Sequence, residues 1–333
     1  MRIVFFGTPE WAVPALAALT ATRNVVSLVV TQPTRRRGRG GAVTPSPVAA
    51  AAARGKIPIL EPDTVRGSQF LSRLAQERPD LLIVVAYGRI LPKGVLDLPP
   101  LGAVNIHFSL LPKYRGAAPV QWAIANGESE TGVTVMKMSE EMDAGPVLAQ
   151  ARVPIEEGEH APALGARLAP LGAELLASLL EDLDENRLEA QPQDPSAVTM
   201  APLLRAEDGW IDWSLPAAAI ERRIRGFDPW PGQSATSIKG KVRIVEARPR
   251  EAEPAEADAA HPSGEVRIAG AEPEPGSVLG TRGDALEIAC GGGTVLEAVR
   301  IQPEGRRAIL GAEAIRGRYL RVGDRFTAPP AGR

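Results

Sequence analysis

Cysteine and histidine are scarce in this chain of 333 residues. The one cysteine, Cys290, has no partner for an internal disulfide, and the three histidines lie far apart at positions 107, 160 and 261. No cluster of cysteine and histidine has the spacing of zinc ligands. The composition therefore predicts no metal site and favours a reducing compartment.

Long apolar runs are missing as well. The N-terminal MRIVFFGTPEW has too short an apolar stretch for a signal peptide, and no run of about 18 apolar residues follows it. Hydrophobic residues make up 44% and charged residues 23% of the chain, which is typical of globular proteins. We therefore expect a cytoplasmic protein without a membrane span. The length exceeds that of a usual single domain of about 100 to 200 residues, so two domains are expected.

The first 155 residues alternate apolar, β-rich runs with helical patterns. The runs occupy 2–7, 25–32, 57–60, 81–88, 103–109, 131–138 and 146–155. Unbroken Val, Ile and Leu runs separated by helices predict a doubly wound, mostly parallel α/β sheet. In such sheets, ligands bind beyond the carboxyl ends of the strands. Three- and four-residue spacing of apolar residues predicts a long helix over 163–183.

The second half of the chain has a different pattern. Polarity and proline content rise from Glu189 to Asp208, which predicts a linker over 189–207. After one helix, residues 208–333 alternate short β patterns with Gly and Pro turns, which predicts a small β-barrel. An acidic, proline-rich segment at 246–274 is expected to form a long solvated loop between barrel strands.

Polar residues at two strand ends are candidates for chemistry. Asn105 and His107 are two apart in one strand, so their side chains project from the same face. A histidine can move a proton near neutral pH, and an amide can donate a hydrogen bond to an oxyanion. A core histidine satisfied by backbone groups is the alternative for these two alone. Asp143 lies in a turn between strand patterns and is expected to return to them, completing an acid/base set without a nucleophile.

Two further loops are candidates for binding. Tyr87 and Gly88 follow the fourth strand, where the glycine leaves room for a flat ligand, although a strand-end turn explains them equally well. The loop TQPTRRRGRGG carries clustered arginines, which neutralise phosphates in many complexes, although a solubilising loop is an equal alternative. Its arginines are Arg35, Arg36, Arg37 and Arg39.

The stretch AVNIHFSLLPKYRGAAPVQWAI, followed by ESETGVTVMKM and MDAGPVL, resembles the folate-dependent formyltransferases. Further matches run nearly end to end, including FFGTPEWAVPAL, VVAYGRILP, GWIDWSLPAAAIERRIRGFDPWPG and RGRYLRVGDRF. Together they are similar to the methionyl-tRNA formyltransferase branch of that family. The resemblance implies a Rossmann-like formyltransferase domain over 1–188, a linker over 189–207 and an OB-like, tRNA-binding barrel over 208–333.

The resemblance also implies an activity, namely transfer of the formyl group of 10-formyltetrahydrofolate to the amino group of methionyl initiator tRNA. Asn105, His107 and Asp143 would be the catalytic trio, and no metal is required. The folate contacts would be Ser109, Leu110, Leu111 and Pro112, together with Tyr87 and Gly88. The arginine-rich loop would enter the tRNA acceptor stem, with Arg39 as its principal contact. We expect a monomer.

Three departures and several alternatives accompany the resemblance. Phe108 stands where the family usually has a small residue, Ala144 replaces a usual threonine, and the acidic insertion is longer than expected. Glycinamide ribonucleotide and sugar-nucleotide formyltransferases, and the hydrolase domain of formyltetrahydrofolate dehydrogenase, use a similar trio. A nonenzymatic RNA-binding barrel protein is the alternative from another class. The Arg loop and the second domain favour an aminoacyl-tRNA substrate, and the intact trio argues against a nonenzymatic protein.

Overall fold

The structure is a computed structural model that describes residues 1–33, 44–185, 187–251 and 273–327. These residues form two compact units. The first comprises Met1–Ala123 and Ser129–Leu203, and the second comprises Ile124–Glu128 and the chain from Leu204 onwards.

A seven-stranded sheet organises the first unit. Its strands are β1 (Arg2–Gly7), β2 (Val25–Val30), β3 (Ile59–Leu60), β4 (Leu81–Val85), β5 (Ala103–His107), β6 (Glu130–Lys137) and β7 (Val147–Pro154), in the order β3-β2-β1-β4-β5-β6-β7. Strands β1 to β5 pair in parallel, whereas β6 and β7 are antiparallel to their neighbours. The loop 138–146 between β6 and β7 contains no helix, as expected for an antiparallel connection. The predicted mostly parallel α/β sheet is confirmed.

Helices flank this sheet. They are α1 (Val13–Thr20), α2 (Pro47–Arg54), α3 (Ser68–Ala75), α4 (Lys93–Leu96), α5 (Pro119–Ala125), which crosses into the second unit, and α6 (Ala161–Asp184). Local signals explain the start of α2, where Ser46 accepts a hydrogen bond from the Ala49 N–H and Pro47 occupies the first turn. Strands β1 and β4 are buried on both faces, so their side chains make up much of the apolar core.

Helix α6 corrects one expectation. Arg167 and Glu174 interrupt its apolar residues. By length and composition it could nevertheless cross a membrane, and it is the one helix among the described residues that could. The sequence predicted no such segment. Buried residues such as Leu164, Leu168 and Leu176 lie on the face that packs on α1, β6 and β7. Core helices of globular proteins commonly have this composition.

The described residues of the second unit form an antiparallel sheet with two α-helices beside it. Its elements are α7 (Ala217–Gly226), β8 (Gln233–Ser237), β9 (Gly240–Glu251), β10 (Val278–Arg282), β11 (Ala285–Ala289), β12 (Thr294–Pro303), β13 (Ile309–Leu310) and α8 (Gly311–Arg316). The strand order is β10-β11-β12-β9-β8, with β13 beside β12. Near the C-terminus, Thr327 pairs with Thr236 of β8 and Arg325 pairs with Ser277 beside β10. This segment joins the two edge strands, as in a small barrel.

Candidate active site

The end of β5 carries the two polar residues that the sequence singled out. Val104 and Ile106 alternate with Asn105 and His107 in β5, which lies between β4 and β6. All five residues of β5 are buried, so both of its faces are covered. Asn105 is 8% exposed, and its side-chain amide has no hydrogen-bond partner among the described residues. The amide is therefore available to a ligand at the strand end.

The ring of His107 is held from one side and faces a carboxylate on the other. Its Nε2 lies 2.9 Å from the carbonyl oxygen of Tyr114. A carbonyl oxygen only accepts hydrogen bonds, so Nε2 carries a proton. Nδ1 lies 3.7 Å from Oδ2 of Asp143, a distance at which charges attract but no direct hydrogen bond forms. The ring can thus take up a second proton at Nδ1, where the carboxylate stabilises the imidazolium.

Asp143 reaches this position from the loop between β6 and β7. Its backbone is left-handed, with φ of 52°, which is uncommon outside glycine although aspartate tolerates it. Oδ2 accepts a hydrogen bond of 2.8 Å from the N–H of Gly116. Gly116 has φ of 127°, and a Cβ there would collide with the carbonyl oxygen of Ala201. The structure therefore brings the predicted trio together and adds Gly116, whose only sequence signal was the glycine of RGAAP.

The predicted folate segment after β5 is folded onto its own surroundings. Ser109 is fully buried and its hydroxyl donates to the carbonyl of Lys113 at 2.7 Å. The hydroxyl of Thr134 donates to the Ser109 carbonyl at 2.7 Å and accepts from the N–H of Leu111 at 3.1 Å. The side-chain amide of Gln150 donates to the Leu111 carbonyl at 2.7 Å. These bonds fix the turn that follows His107.

Phe108 and Leu110, two hydrophobic residues that follow His107, pack against other elements of the first unit. Phe108, the unexpected residue, meets the ring of Trp11 edge to face at 5.9 Å between centroids. Its ring also lies beside Gly172 of α6. Leu110 lies against Gly132 of β6, where a Cβ would approach its Cδ2 to 2.6 Å. The larger residue at position 108 thus changes the packing under α6 rather than the polar face of β5.

Tyr87 and Gly88 lie in the turn after β4, and the side chain of Tyr87 points into the core. The Tyr87 ring meets Phe6 edge to face at 5.3 Å, and its hydroxyl has no partner among the described residues. Burial raises the pKa of this hydroxyl, outweighing the opposite effect of Arg89. The side-chain amide of Gln32 donates to the Tyr87 carbonyl at 2.8 Å, and Gly88 has φ of 78°. At this strand end the Tyr87 carbonyl is therefore bonded to Gln32, and the ring belongs to the core.

A cavity of about 740 Å³ lies next to the Asp143 loop. Its walls come from the segments 93–103 and 137–144, and they include Leu96, Ala103, Met138 and Ala144, which follows Asp143 directly. Volumes of this size are typical of small-molecule sites. None of the predicted folate residues lines this cavity. Sequence reasoning did not single out the lining residues, because most of them lie in loops or at the ends of short elements, where no periodic pattern marks them.

The remaining candidate site residues lie outside the described part of the chain or in the core. Arg35, Arg36, Arg37 and Arg39 lie outside the described residues, as does most of the acidic segment 246–274. Among the described residues, no group of three or more His, Cys, Asp and Glu side chains could hold a metal ion. Burial raises the pKa of the Cys290 thiol to about 12, so this residue is a core side chain and not a nucleophile.

Comparisons with known proteins connect both units to one family. The family described as "Formyl transferase" matches residues 1–180, and "Formyl transferase, C-terminal domain" matches residues 203–319. A protein of Pelobacter propionicus named methionyl-tRNA formyltransferase is 44% identical over 95% of this chain and 92% of its own length. A protein of the same name from Anaeromyxobacter sp. (strain K) is 46% identical over 92% of this chain and 94% of its own.

A solved structure has the same fold. HypX from Aquifex aeolicus in complex with tetrahydrofolic acid superposes with a TM-score of 0.60 at 22% identity, covering 96% of this chain and 47% of that chain. At this identity the likeness concerns the fold alone. The match to both family descriptions and the full-length relatives above 40% identity, taken with the Asn105, His107 and Asp143 geometry, show that the chain belongs to the formyl transferase family.

Proposed function

We propose that this protein transfers the formyl group of 10-formyltetrahydrofolate to the amino group of methionyl initiator tRNA, giving N-formylmethionyl-tRNA. The observation that carries the proposal is the convergence of Asn105, His107 and Asp143 at the end of β5. Nearly full-length relatives named methionyl-tRNA formyltransferase support the choice of acceptor. The folate complex of HypX supports the choice of donor class.

The chemistry requires no covalent nucleophile, because an uncharged α-amine attacks the formyl carbon itself. A bond forms between that nitrogen and the formyl carbon, and the bond from the carbon to the folate nitrogen N10 breaks. The Asn105 amide donates a hydrogen bond to the formyl oxygen as it becomes an oxyanion. His107 takes the amine proton at Nδ1, and the Nδ1–H then donates a hydrogen bond to the same oxyanion before the proton passes to N10, because Nε2–H is already bonded to the Tyr114 carbonyl. Asp143 orients the ring and stabilises its charged form.

The formyl donor has a candidate place beside this trio. The cavity next to Asp143 is large enough for a folate ring system and combines apolar side chains with the polar groups of Lys137 and Ser139. The turn made by Ser109, Leu110, Leu111 and Pro112 fixes the wall after His107, and its contact with the donor is a further part of the proposal. The Tyr87 ring is buried, so we propose that Tyr87 and Gly88 contact the formyl donor through their backbone.

The acceptor tRNA is proposed to meet two regions. The loop with Arg35, Arg36, Arg37 and Arg39 would neutralise phosphates of the acceptor stem. The barrel over 208–333, proposed to be OB-like, would bind the tRNA body, with 1–188 as the catalytic domain and 189–207 as the connection. In that barrel, Lys239 lies over the ring of Tyr319, which places a positive charge and an aromatic ring together, the two kinds of group that nucleic-acid surfaces combine. A cytoplasmic monomer that acts without a membrane completes the proposal.

The test is a formylation assay with purified protein, 10-formyltetrahydrofolate and initiator tRNA charged with methionine. We expect acid-stable N-formylmethionine on the tRNA, and no product from free methionine. Formylation of free methionine, or of an amino sugar nucleotide in place of the tRNA, would contradict the proposal. Uncharged tRNA serves as the control for background incorporation.

A further inference from the structure

One side-chain amide joins the Asp143 loop to a segment far along the chain. Gln193 accepts hydrogen bonds from Nε and Nη2 of Arg115 at 3.0 and 2.8 Å. Its amide nitrogen donates to the carbonyl oxygens of Asp143 at 2.8 Å and Gly145 at 2.7 Å. A guanidinium only donates and a carbonyl only accepts, so the orientation of the amide is determined. Only an amide of this length satisfies both sides.

Six residues later the same segment holds the other partner of the catalytic ring. The hydroxyl of Thr199 accepts the Tyr114 N–H at 2.8 Å, and its carbonyl accepts the Arg115 N–H at 2.9 Å. The N–H of Ala201 donates to the Arg115 carbonyl at 2.7 Å. Tyr114 has φ of 62°, an uncommon conformation for this residue type, and its carbonyl accepts the proton of His107 Nε2. The turn is thus held in place by bonds from outside it.

The two contacts of the imidazole therefore depend on one segment, 191–201, which follows α6 and contains a single 3-10 turn at Pro195–Ala197. Asp143 and Tyr114 both have positive φ, and such backbone conformations persist where surrounding bonds hold them. We propose that Gln193 and Thr199 are positioning residues for formyl transfer, acting through Asp143 and Tyr114 on the two nitrogens of His107. This inference rests on the proposed function, since it assigns the segment a part in that reaction.

The test is the substitution Gln193→Glu in the full-length protein. Glutamate keeps the length of the side chain and the contact with Arg115, but it turns two donors into acceptors that face the carbonyl oxygens of Asp143 and Gly145. Displacing a catalytic group by about 1 Å costs on the order of 10²-fold in rate. We expect kcat for methionyl-tRNA to fall by about that factor, with KM for both substrates nearly unchanged.

The matched control is Gln191→Glu. Gln191 lies in the same segment, its backbone pairs with Val147, and its side chain is exposed without a hydrogen bond among the described residues. The substitution Gln191→Glu therefore introduces the same change of charge, and we expect it to leave kcat at the wild-type value. An equal kcat for Gln193→Glu and Gln191→Glu would overturn the inference. A wild-type protein that does not formylate methionyl-tRNA would contradict the proposed function instead.

A double-mutant cycle separates positioning from general loss of structure. If Gln193 acts through Asp143, adding Gln193→Glu to Asp143→Asn lowers kcat little further, because the carboxylate it places is already gone. If the two substitutions lower kcat by factors that multiply, Gln193 does not act through Asp143 and this part of the inference is overturned. Thr199→Val removes the acceptor of the Tyr114 N–H and provides a second variant should Gln193→Glu unfold, as judged by thermal unfolding. A folded Thr199→Val protein with wild-type kcat overturns the Thr199 part.

Discussion

The charge on Asp143 should dominate catalysis by the trio, and Asp143→Asn isolates it. An asparagine oxygen can still accept the hydrogen bond from Gly116, so the loop keeps its bond while the negative charge disappears. Oδ2 lies 3.7 Å from His107 Nδ1, and both side chains are largely buried, with exposures of 14% and 6%. At an effective dielectric constant of about 20, opposite charges at that distance attract by at most about 4 kcal/mol, before the cost of desolvating them is subtracted.

That attraction exists only when His107 is protonated, which is the state formed as the amine loses its proton. A loss of that full amount in the transition state would lower kcat by about 10³-fold, and after desolvation we expect a fall between tenfold and about 10³-fold. Single-turnover formylation of methionyl-tRNA measures this step directly. The control is Glu130→Gln, which removes a charge from the exposed ion pair with Arg152 at the start of β6, where little effect is expected. A fall of less than tenfold for Asp143→Asn would refute the electrostatic role of the carboxylate.

Three further predictions address other parts of the molecule. Gly116→Ala should lower the free energy of unfolding by about 2 kcal/mol in urea, since strain at φ of 127° adds to a collision with Ala201, whereas Gly158→Ala, whose Cβ meets no atom within 4 Å, should cost less. Cys290, with its pKa raised to about 12, should resist iodoacetamide at pH 8 in the native protein and react once unfolded; rapid native labelling would contradict its burial. Arg39→Ala should raise KM for methionyl-tRNA and reduce the salt dependence of binding by about one ion, without changing folate binding; equal loss of both would assign the loop to the fold.

The sheet was largely predictable because its apolar runs are bounded by residues that end strands. The run RIVFFG became β1 without change. Short elements such as β13 and α8 were missed, since two or six residues give no measurable period. The direction of β7 was not specified by its own residues, because an apolar run fits a parallel or an antiparallel neighbour equally well.

The site was predictable only in part, for a reason of distance along the chain. The shared face of Asn105 and His107 follows from the two-residue repeat of a strand. Asp143 was reached by its turn and by family resemblance, whereas its bond to Gly116 depends on a backbone N–H, which every residue except proline carries. The sequence therefore could not predict the hydrogen bond between Asp143 and Gly116. The cavity beside Asp143 is lined by two segments, 93–103 and 137–144, that lie far apart in the sequence, so no local pattern could reveal it.

The segment after α6 shows the same limit more sharply. Its proline and polar residues are those of a connection, yet one amide, one hydroxyl and several backbone groups bond it to Asp143, Tyr114 and Arg115, the first two of which contact His107. Backbone hydrogen bonds do not depend on which side chains surround them, so a segment of this composition can be a tether or a fixed part of a site. In this chain the distinguishing residue is Gln193, because its amide uses both donors and its carbonyl accepts twice. A tether that only joins two units does not require such a completely bonded side chain beside the Asp143 loop.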